Sequence, residues 1–412
     1  MAMRRVIGGW ILAVLGASGA WATVDVPVLK SIVPDGDGSK IAYGIYVKVG
    51  DGGEARLFQL DTGNGSFLAG YADNAPPQSQ FWGSGVTMVN SGTFSESFGS
   101  GITMMYNKVS TQVTLSNASG ADLVVIPTMV LGQVFSGTGD DIPSDTYWNQ
   151  TLANGDPPLH QTYYGNFGAG LYRASAPSDP VDEQLFSALG QISGVVGFSL
   201  SLSGSSPKLT LVFDTPEDQD YIDSFTQAAL MVSSGSGGPV FPVTGWATHT
   251  EFPALAAAYS VDGVSVSGTN GVFDTGGTTV GLTDEAWYAF DAADLTKEDG
   301  TVLAGETFLM GFTGAGEIDG TTFGDFSIGF TTGYEAGVNE VDTFNGSQEM
   351  NYGPAIYNFY DVYYDLEFGT VRFRAVPESS VSGLLALALA GFAGWRRFFR
   401  GTGRPQWEDS PS

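Results

Sequence analysis

Two short runs in this chain have the same form: Phe58-Gln59-Leu60-Asp61-Thr62-Gly63 and Val272-Phe273-Asp274-Thr275-Gly276. Each is an apolar strand that ends in Asp-Thr-Gly. The pattern holds a carboxylate at a sharp turn and gives the turn a hydroxyl. It then supplies a glycine, which tolerates close backbone approach or positive φ. One copy would mean little among 58 glycines in 412 residues. Two copies, 213 residues apart and each behind an apolar run, predict a duplicated lobe that contributes one carboxylate per half. Two carboxylates held face to face cannot both ionise, so one keeps its proton and the pair becomes a built-in acid and base. Asp214-Thr215-Pro216 also follows an apolar strand, but proline supplies neither the glycine geometry nor a turn N–H. Asp342-Thr343-Phe344 lacks an equivalent preceding strand.

Composition narrows the class. Abundant glycine with only 15% charged residues argues for many turns and short strands, and 13% aromatics supply a core. The length admits two or three average domains or one bilobal all-β enzyme. The formal net charge is −28, and Arg4, Arg5, Arg396, Arg397, Arg400 and Arg404 lie in the termini, so the body is more acidic still. Such a surface repels nucleic acid and anionic lipid, and no nucleic-acid partner is expected. There is no cysteine, which excludes disulfides, zinc thiolates and thiol chemistry. The only histidines are His160 and His249, with no matching nucleophile pattern, so a Ser-His-Asp mechanism has no support. Asp35-Gly36-Asp37-Gly38 reads as a hairpin turn, because the twelfth position of a calcium loop begun at Asp35 would be Tyr46 and not Glu. No metal and no cofactor are expected.

The ends of the chain predict export. Arg4 and Arg5 precede an apolar run from Val6 to Leu15, and Ala20-Trp21-Ala22 forms a small-x-small cleavage site, so 1–22 reads as a signal peptide. Val381 to Trp395 is apolar apart from Ser382 and is followed by Arg396, Arg397 and Arg400. Fifteen residues fall short of the roughly 20 that span a bilayer, although snorkelling arginines extend the reach. The basic residues after it predict a cytoplasmic end.

The paired motifs resemble those of pepsin-like aspartic peptidases. The resemblance implies an all-β, bilobal pepsin-like fold, with two pseudo-symmetric β-barrel-like lobes and an active-site cleft between them. It makes Asp61 and Asp274 the catalytic dyad around a water. Thr62, Gly63, Thr275 and Gly276 become the supporting loop residues, and a peptide or protein becomes the substrate. Phe94 to Gly101 falls where that family has its flap, which makes Phe98, Gly99 and Ser100 the residues over the substrate; the alternative is an ordinary surface hairpin. The usual flap tyrosine is Phe98, and the tryptophan that normally bonds it is absent from 64–69. The family's Ser or Thr after each Asp-Thr-Gly is replaced by Asn64 and Gly277. An apolar-apolar-Gly strand threads behind each motif in the family. Val195-Val196-Gly197 fits in the first lobe and Asn351-Tyr352-Gly353, with a departure at Asn351, in the second. The expected division is an N-terminal lobe over 23–200 with an insertion at 136–180, and a C-terminal lobe over 201–375 after a crossing between Ser199 and Lys208. Asp284, Glu285 and Asp291 read as the solvated face of a short helix.

Pro377-Glu378 before the apolar run resembles a PEP-CTERM sorting signal of Gram-negative bacteria. That implies transient membrane insertion of 376–400, an exosortase-type sorting enzyme as partner, and release to the cell surface, with 401–412 a polar tail. The alternative is a plain C-terminal anchor. The function implied is an exported aspartic endopeptidase. The alternative is a weak or inactive pepsin-like binding module of the cell surface or matrix.

Overall fold

A computed structural model describes residues 23–376, apart from 73–80, 171–187, 231–257, 334–340, 344–349 and shorter breaks. The signal segment and the sorting segment with Pro377 and Glu378 therefore lie outside the described residues. Among the described residues no helix is long and apolar enough to cross a membrane.

Strands dominate. The first half holds β1 (Thr23–Pro27), β2 (Leu29–Asp35), β3 (Gly38–Val49), β4 (Arg56–Asp61), β5 (Phe67–Gly70), β6 (Thr87–Ser97), β7 (Thr103–Ser116), β8 (Asp122–Thr138), β9 (Gly165–Gly168), β10 (Val195–Ser201) and β11 (Lys208–Phe213). The second half holds β12 (Gln227–Leu230), β13 (Ala258–Val261), β14 (Val264–Val266), β15 (Gly271–Val272), β16 (Val280–Leu282), β17 (Thr307–Phe312), β18 (Gly316–Ile318), β19 (Thr321–Phe323), β20 (Phe326–Thr331), β21 (Val341–Thr343), β22 (Met350–Asn351), β23 (Tyr360–Asp365) and β24 (Thr370–Ala375).

Strands β2 to β9 form one sheet in the order β2-β3-β4-β9-β5-β8-β7-β6. Asp35 pairs with Gly38, as the Asp-Gly turn predicts. Strand β4 has five consecutive buried residues, Leu57 to Asp61, because it runs through the centre of this sheet. Phe58 meets Phe67 edge-on at 5.1 Å, and Phe67 meets Phe167 at 4.9 Å. Burying each of these rings stabilises the lobe by about 1.5–3 kcal/mol. In the second half, β15, β22, β16 and β21 form one sheet and β14, β13, β17 and β20 another. The expected short helix is present over Asp284–Asp291, with Phe290 buried.

A six-stranded sheet, β1-β11-β10-β23-β24-β12, joins the halves. Its centre is the antiparallel pair β10 and β23, with Phe198 opposite Tyr364 and their rings stacked at 4.8 Å. Two sequence readings change here. Val195-Val196-Gly197 does not run behind the first Asp-Thr-Gly; it belongs to β10 in this shared sheet. The stretch from Ser199 to Lys208 is not the crossing between halves, since it links β10 to β11 as a hairpin inside that sheet.

The strand behind Asp61 is β9, which lies inside the span read as an insertion. It pairs parallel to β4, with Gln59 opposite Asn166, Leu60 opposite Phe167 and Asp61 opposite Gly168. Gly168 has to be glycine, because a Cβ there would lie 2.4 Å from the Gly65 carbonyl carbon and the Ser66 nitrogen. The second half repeats the arrangement: β22 runs parallel to β15, with Val272 opposite Asn351. Asn166 and Asn351 thus sit at the same register, each opposite the residue two before its motif's aspartate. Asn351 is not a departure from its counterpart in the first half.

Candidate active site

Strand β4 delivers Asp61, and the run after β15 delivers Asp274, to a common centre. Each Gly of the two motifs packs on the other motif's carboxyl. A Cβ on Gly63 would lie 2.4 Å from Asp274 Cγ, and one on Gly276 would lie 2.6 Å from Asp61 Cγ. Only a hydrogen at each position allows the two turns to approach this far. Within each turn the glycine N–H donates back to its own aspartate: Gly63 N to Asp61 Oδ1 at 2.9 Å, Gly276 N to Asp274 Oδ1 at 2.7 Å.

The threonines lock the two turns together. Thr62 N donates to Thr275 Oγ1 at 3.0 Å, and Thr275 N donates to Thr62 Oγ1 at 2.9 Å. Their hydroxyls then donate across the junction, Thr275 Oγ1 to Leu60 O at 2.7 Å and Thr62 Oγ1 to Phe273 O. Both threonines are buried, and every one of these bonds crosses between halves 213 residues or so apart in the chain. The predicted dyad and its four supporting residues are thus brought together in one two-fold-like cluster.

Asp61 is almost fully enclosed, with 6% of its surface exposed. Burial pushes its carboxyl well above the usual carboxylate value, and the facing Asp274 pushes the same way through its charge. Hydrogen bonds from Asn166 and Gly63 pull against that rise.

Among solved structures the chain is similar to the aspartic proteinase from Irpex lacteus, with 15% identity and a TM-score of 0.51, over 87% of this chain and 99% of that one. The fold is the pepsin-like one. No family model and no curated protein sequence matches the chain.

Three features of this pepsin-like site were not legible in the motifs. The first is Asn166 on β9, whose Nδ2 donates to Asp61 Oδ2 at 2.8 Å. Asn64, the residue positioned by sequence to serve that oxygen, instead accepts the Ser66 N–H on its own Oδ1 at 2.7 Å. The signal was present as a second internal echo, Asn166-Phe167-Gly168 and Asn351-Tyr352-Gly353.

The second feature lies beneath the threonines. Tyr357 OH shares a hydrogen bond with Thr62 Oγ1 at 3.1 Å and with Tyr364 OH at 2.6 Å, and donates to Phe273 O at 3.3 Å. Burial pushes both phenols far above their ordinary range, so they stay neutral donors at any working pH. Through the Phe198–Tyr364 stack this pair ties the two Asp-Thr-Gly turns to the shared sheet.

The third is on the predicted flap. Strands β6 and β7 form the expected hairpin, closed by Phe98 N to Ile102 O at 2.8 Å and Gly101 N to Phe98 O at 2.9 Å. Phe98 is half-buried against the core and Ser100 is exposed, while Gly99 lies outside the described residues. Glu96, two residues before Phe98, has its carboxyl oxygen Oε2 buried, and Ser66 and Asn64, just after the first Asp-Thr-Gly, draw its titration down. His160 is buried before β9 and takes no part in the dyad, and His249 lies outside the described residues. Among the described residues no cluster of His, Cys, Asp or Glu is arranged to hold a metal.

Proposed function

We propose that the protein is an exported aspartic endopeptidase that hydrolyses peptide bonds with a water held between Asp61 and Asp274. The observation that carries this reading is the reciprocal packing of each motif's glycine on the opposite carboxyl, which leaves the two acids facing one another. The raised Asp61 fits the role of the proton-bearing partner. Asp274, as carboxylate, takes a proton from the water as its oxygen attacks the scissile carbonyl carbon. Asp61 gives its proton to the carbonyl oxygen, and a tetrahedral diol forms. When the diol collapses, one hydroxyl proton returns to Asp61, the amide nitrogen takes the proton held on Asp274, and the C–N bond breaks. An extended peptide between the lobes, under the β6–β7 hairpin, is the substrate class that fits such a cleft.

Export and cell-surface release after processing near Pro377-Glu378 by an exosortase-type enzyme are part of the same proposal, resting on the sequence patterns at the two ends. The decisive experiment digests an acid-denatured protein with the purified full chain between about pH 2 and pH 7, the span that brackets carboxylate titration. Cleavage is expected to rise and fall across this range. It should vanish in both Asp61→Asn and Asp274→Asn, while circular dichroism shows the fold retained. Cleavage that persists in either variant rejects the dyad. A folded wild type that never cleaves makes the cleft a binding module.

A further inference from the structure

Glu96 is a carboxyl placed where a strand over the site would ordinarily carry an apolar side chain. Along the end of β6 and into the turn, Phe94, Glu96 and Phe98 are half-buried while Ser95 and Ser97 are exposed. Phe94 stacks on Tyr106 at 5.8 Å and Phe98 packs on the core, so the inward face is otherwise aromatic. Glu96 pairs across the hairpin with Met104, which is itself buried.

The carboxyl is enclosed with two other polar groups. Glu96 Oε2, Asn64 Nδ2 and Ser66 Oγ are each shut off from solvent, and none makes a hydrogen bond of good geometry. The carboxyl is nevertheless close enough to Ser66 and Asn64 for both to draw its titration downward. Buried polar groups left short of partners are costly, at about 1–3 kcal/mol each, and their gathering in one place calls for a reason. Asn64 is free for this contact because Asn166 serves the outer oxygen of Asp61. Its own carbonyl oxygen is occupied by Ser66 N–H, which aims the amide nitrogen away from that bond.

We propose that Glu96 is a positioning residue that latches the flap hairpin onto the first catalytic turn through Asn64 and Ser66, and that its neutral acid form is the one that closes the latch. A neutral acid donates its O–H to one partner and accepts from the other, which completes the cluster without burying a charge. The charged groups on the neighbouring elements do not offset an ionised Glu96. Asp61, in the gripped turn, carries a proton on the peptidase reading and offers no positive charge, and Lys108 on β7 lies over the Phe94 ring at 4.3 Å. Burial therefore prevails and pushes the carboxyl up to about 7. Because the acid titrates higher when enclosed than in water, ionisation favours states in which the hairpin lifts and the carboxyl is wetted. The closed latch then coincides with the acid range in which the dyad would work.

The proposal rests on the aspartic-peptidase reading only in that the gripped turn carries Asp61, and its test does not need cleavage. In the full chain labelled with ¹³C at glutamate carboxyls, one resonance should titrate near pH 7 and be missing from Glu96→Gln. Hydrogen exchange of the flap amides from Ser95 to Thr103 supplies the second reading. Wild-type protection factors should fall by up to about tenfold per pH unit between the free carboxyl value of about 4.3 and that titration, and level off above it, whereas in Glu96→Gln they should stay flat. The latch is overturned if no glutamate titrates above about pH 6, well above the free value of about 4.3. It is also overturned if flap protection has the same pH dependence in both proteins. Should the Gln variant not fold, the wild-type titration and Glu96→Ala, expected to show low flap protection at every pH, decide the matter. A wild type that shows the switch but cleaves nothing would reject the peptidase reading and leave the latch standing.

Discussion

Replacing Asn166 by leucine isolates the bond that β9 makes to the dyad. Asn166 Nδ2 donates to Asp61 Oδ2 at 2.8 Å, and its Oδ1 is buried without a partner. Leucine is close in volume, so the change removes one bond to an acid and at the same time an unsatisfied acceptor. The melting temperature should move little. A hydrogen bond to a charged group is worth about 1.5–3 kcal/mol. At about 1.36 kcal/mol per pH unit, its loss moves a titration by roughly one to two units. The N–H favours ionised Asp61 and so holds its titration down; without it the already raised carboxyl rises further. The alkaline limb of the cleavage profile, where Asp61 loses its proton, should accordingly move to higher pH. The plateau rate should fall about tenfold or more, since Asp61 becomes anionic as it protonates the carbonyl oxygen and has lost a donor. Initial rates on a fluorogenic peptide across the acid range, with calorimetry of both proteins, measure all three quantities. An alkaline limb that stays in place, with a rate within about twofold of wild type, would refute the role given to Asn166.

The glycine contacts and the buried tyrosines give two more tests. In Gly276→Ala the new Cβ, built at 2.6 Å from Asp61 Cγ, has to displace that carboxyl to reach ordinary contact. Misplacement approaching 1 Å costs about a hundredfold in rate, so kcat should fall steeply while the fold is retained, and an unchanged kcat would show that the turns do not pack as described. Tyr357→Phe removes the phenol that meets Thr62 Oγ1, Tyr364 OH and Phe273 O. It should lower unfolding free energy by about 1–3 kcal/mol in a denaturant titration, and a loss near zero would mean that Tyr357 does not brace the threonines.

What the sequence made legible is the part of the site written locally. Asp61-Thr62-Gly63 and Asp274-Thr275-Gly276 announce themselves because a turn needs those residue types side by side. The hairpins are equally local: Asp35 with Gly38, and Phe94 to Tyr106 around a Gly-Ser-Gly tip. The strand behind Asp61 is not marked in the sequence, because apolar-apolar-Gly describes any buried strand that ends in glycine. Val195-Val196-Gly197 satisfies it in the shared sheet, whereas the strand actually beside β4 carries Asn166 at the first apolar position. Low periodicity from 136 to 180 concealed β9, whose four residues are too few to alternate visibly. Tyr357, Tyr364 and Glu96 had no legible role for a different reason. Each acts on a residue more than 30 positions away, and nothing in its own neighbourhood marks it.

The departures from the family pattern around Asp61 form one set of linked changes, not several separate losses. The resemblance to pepsin-like peptidases implies that a serine or threonine at position 64 would give its hydroxyl to the outer carboxylate oxygen. Here that oxygen is served from across the sheet by Asn166, so residue 64 has no duty to the carboxylate. Asn64 can then close its own turn on Ser66 N and turn its remaining donor toward β6. Here the tip residue is Phe98, no tryptophan follows the motif, and Glu96 two residues back has a carboxyl that burial raises and Ser66 and Asn64 pull down. On this argument Asn166, Asn64, Phe98 and Glu96 are one co-adapted unit. Restoring the family residue at any single one of them would break a contact without remaking the other arrangement.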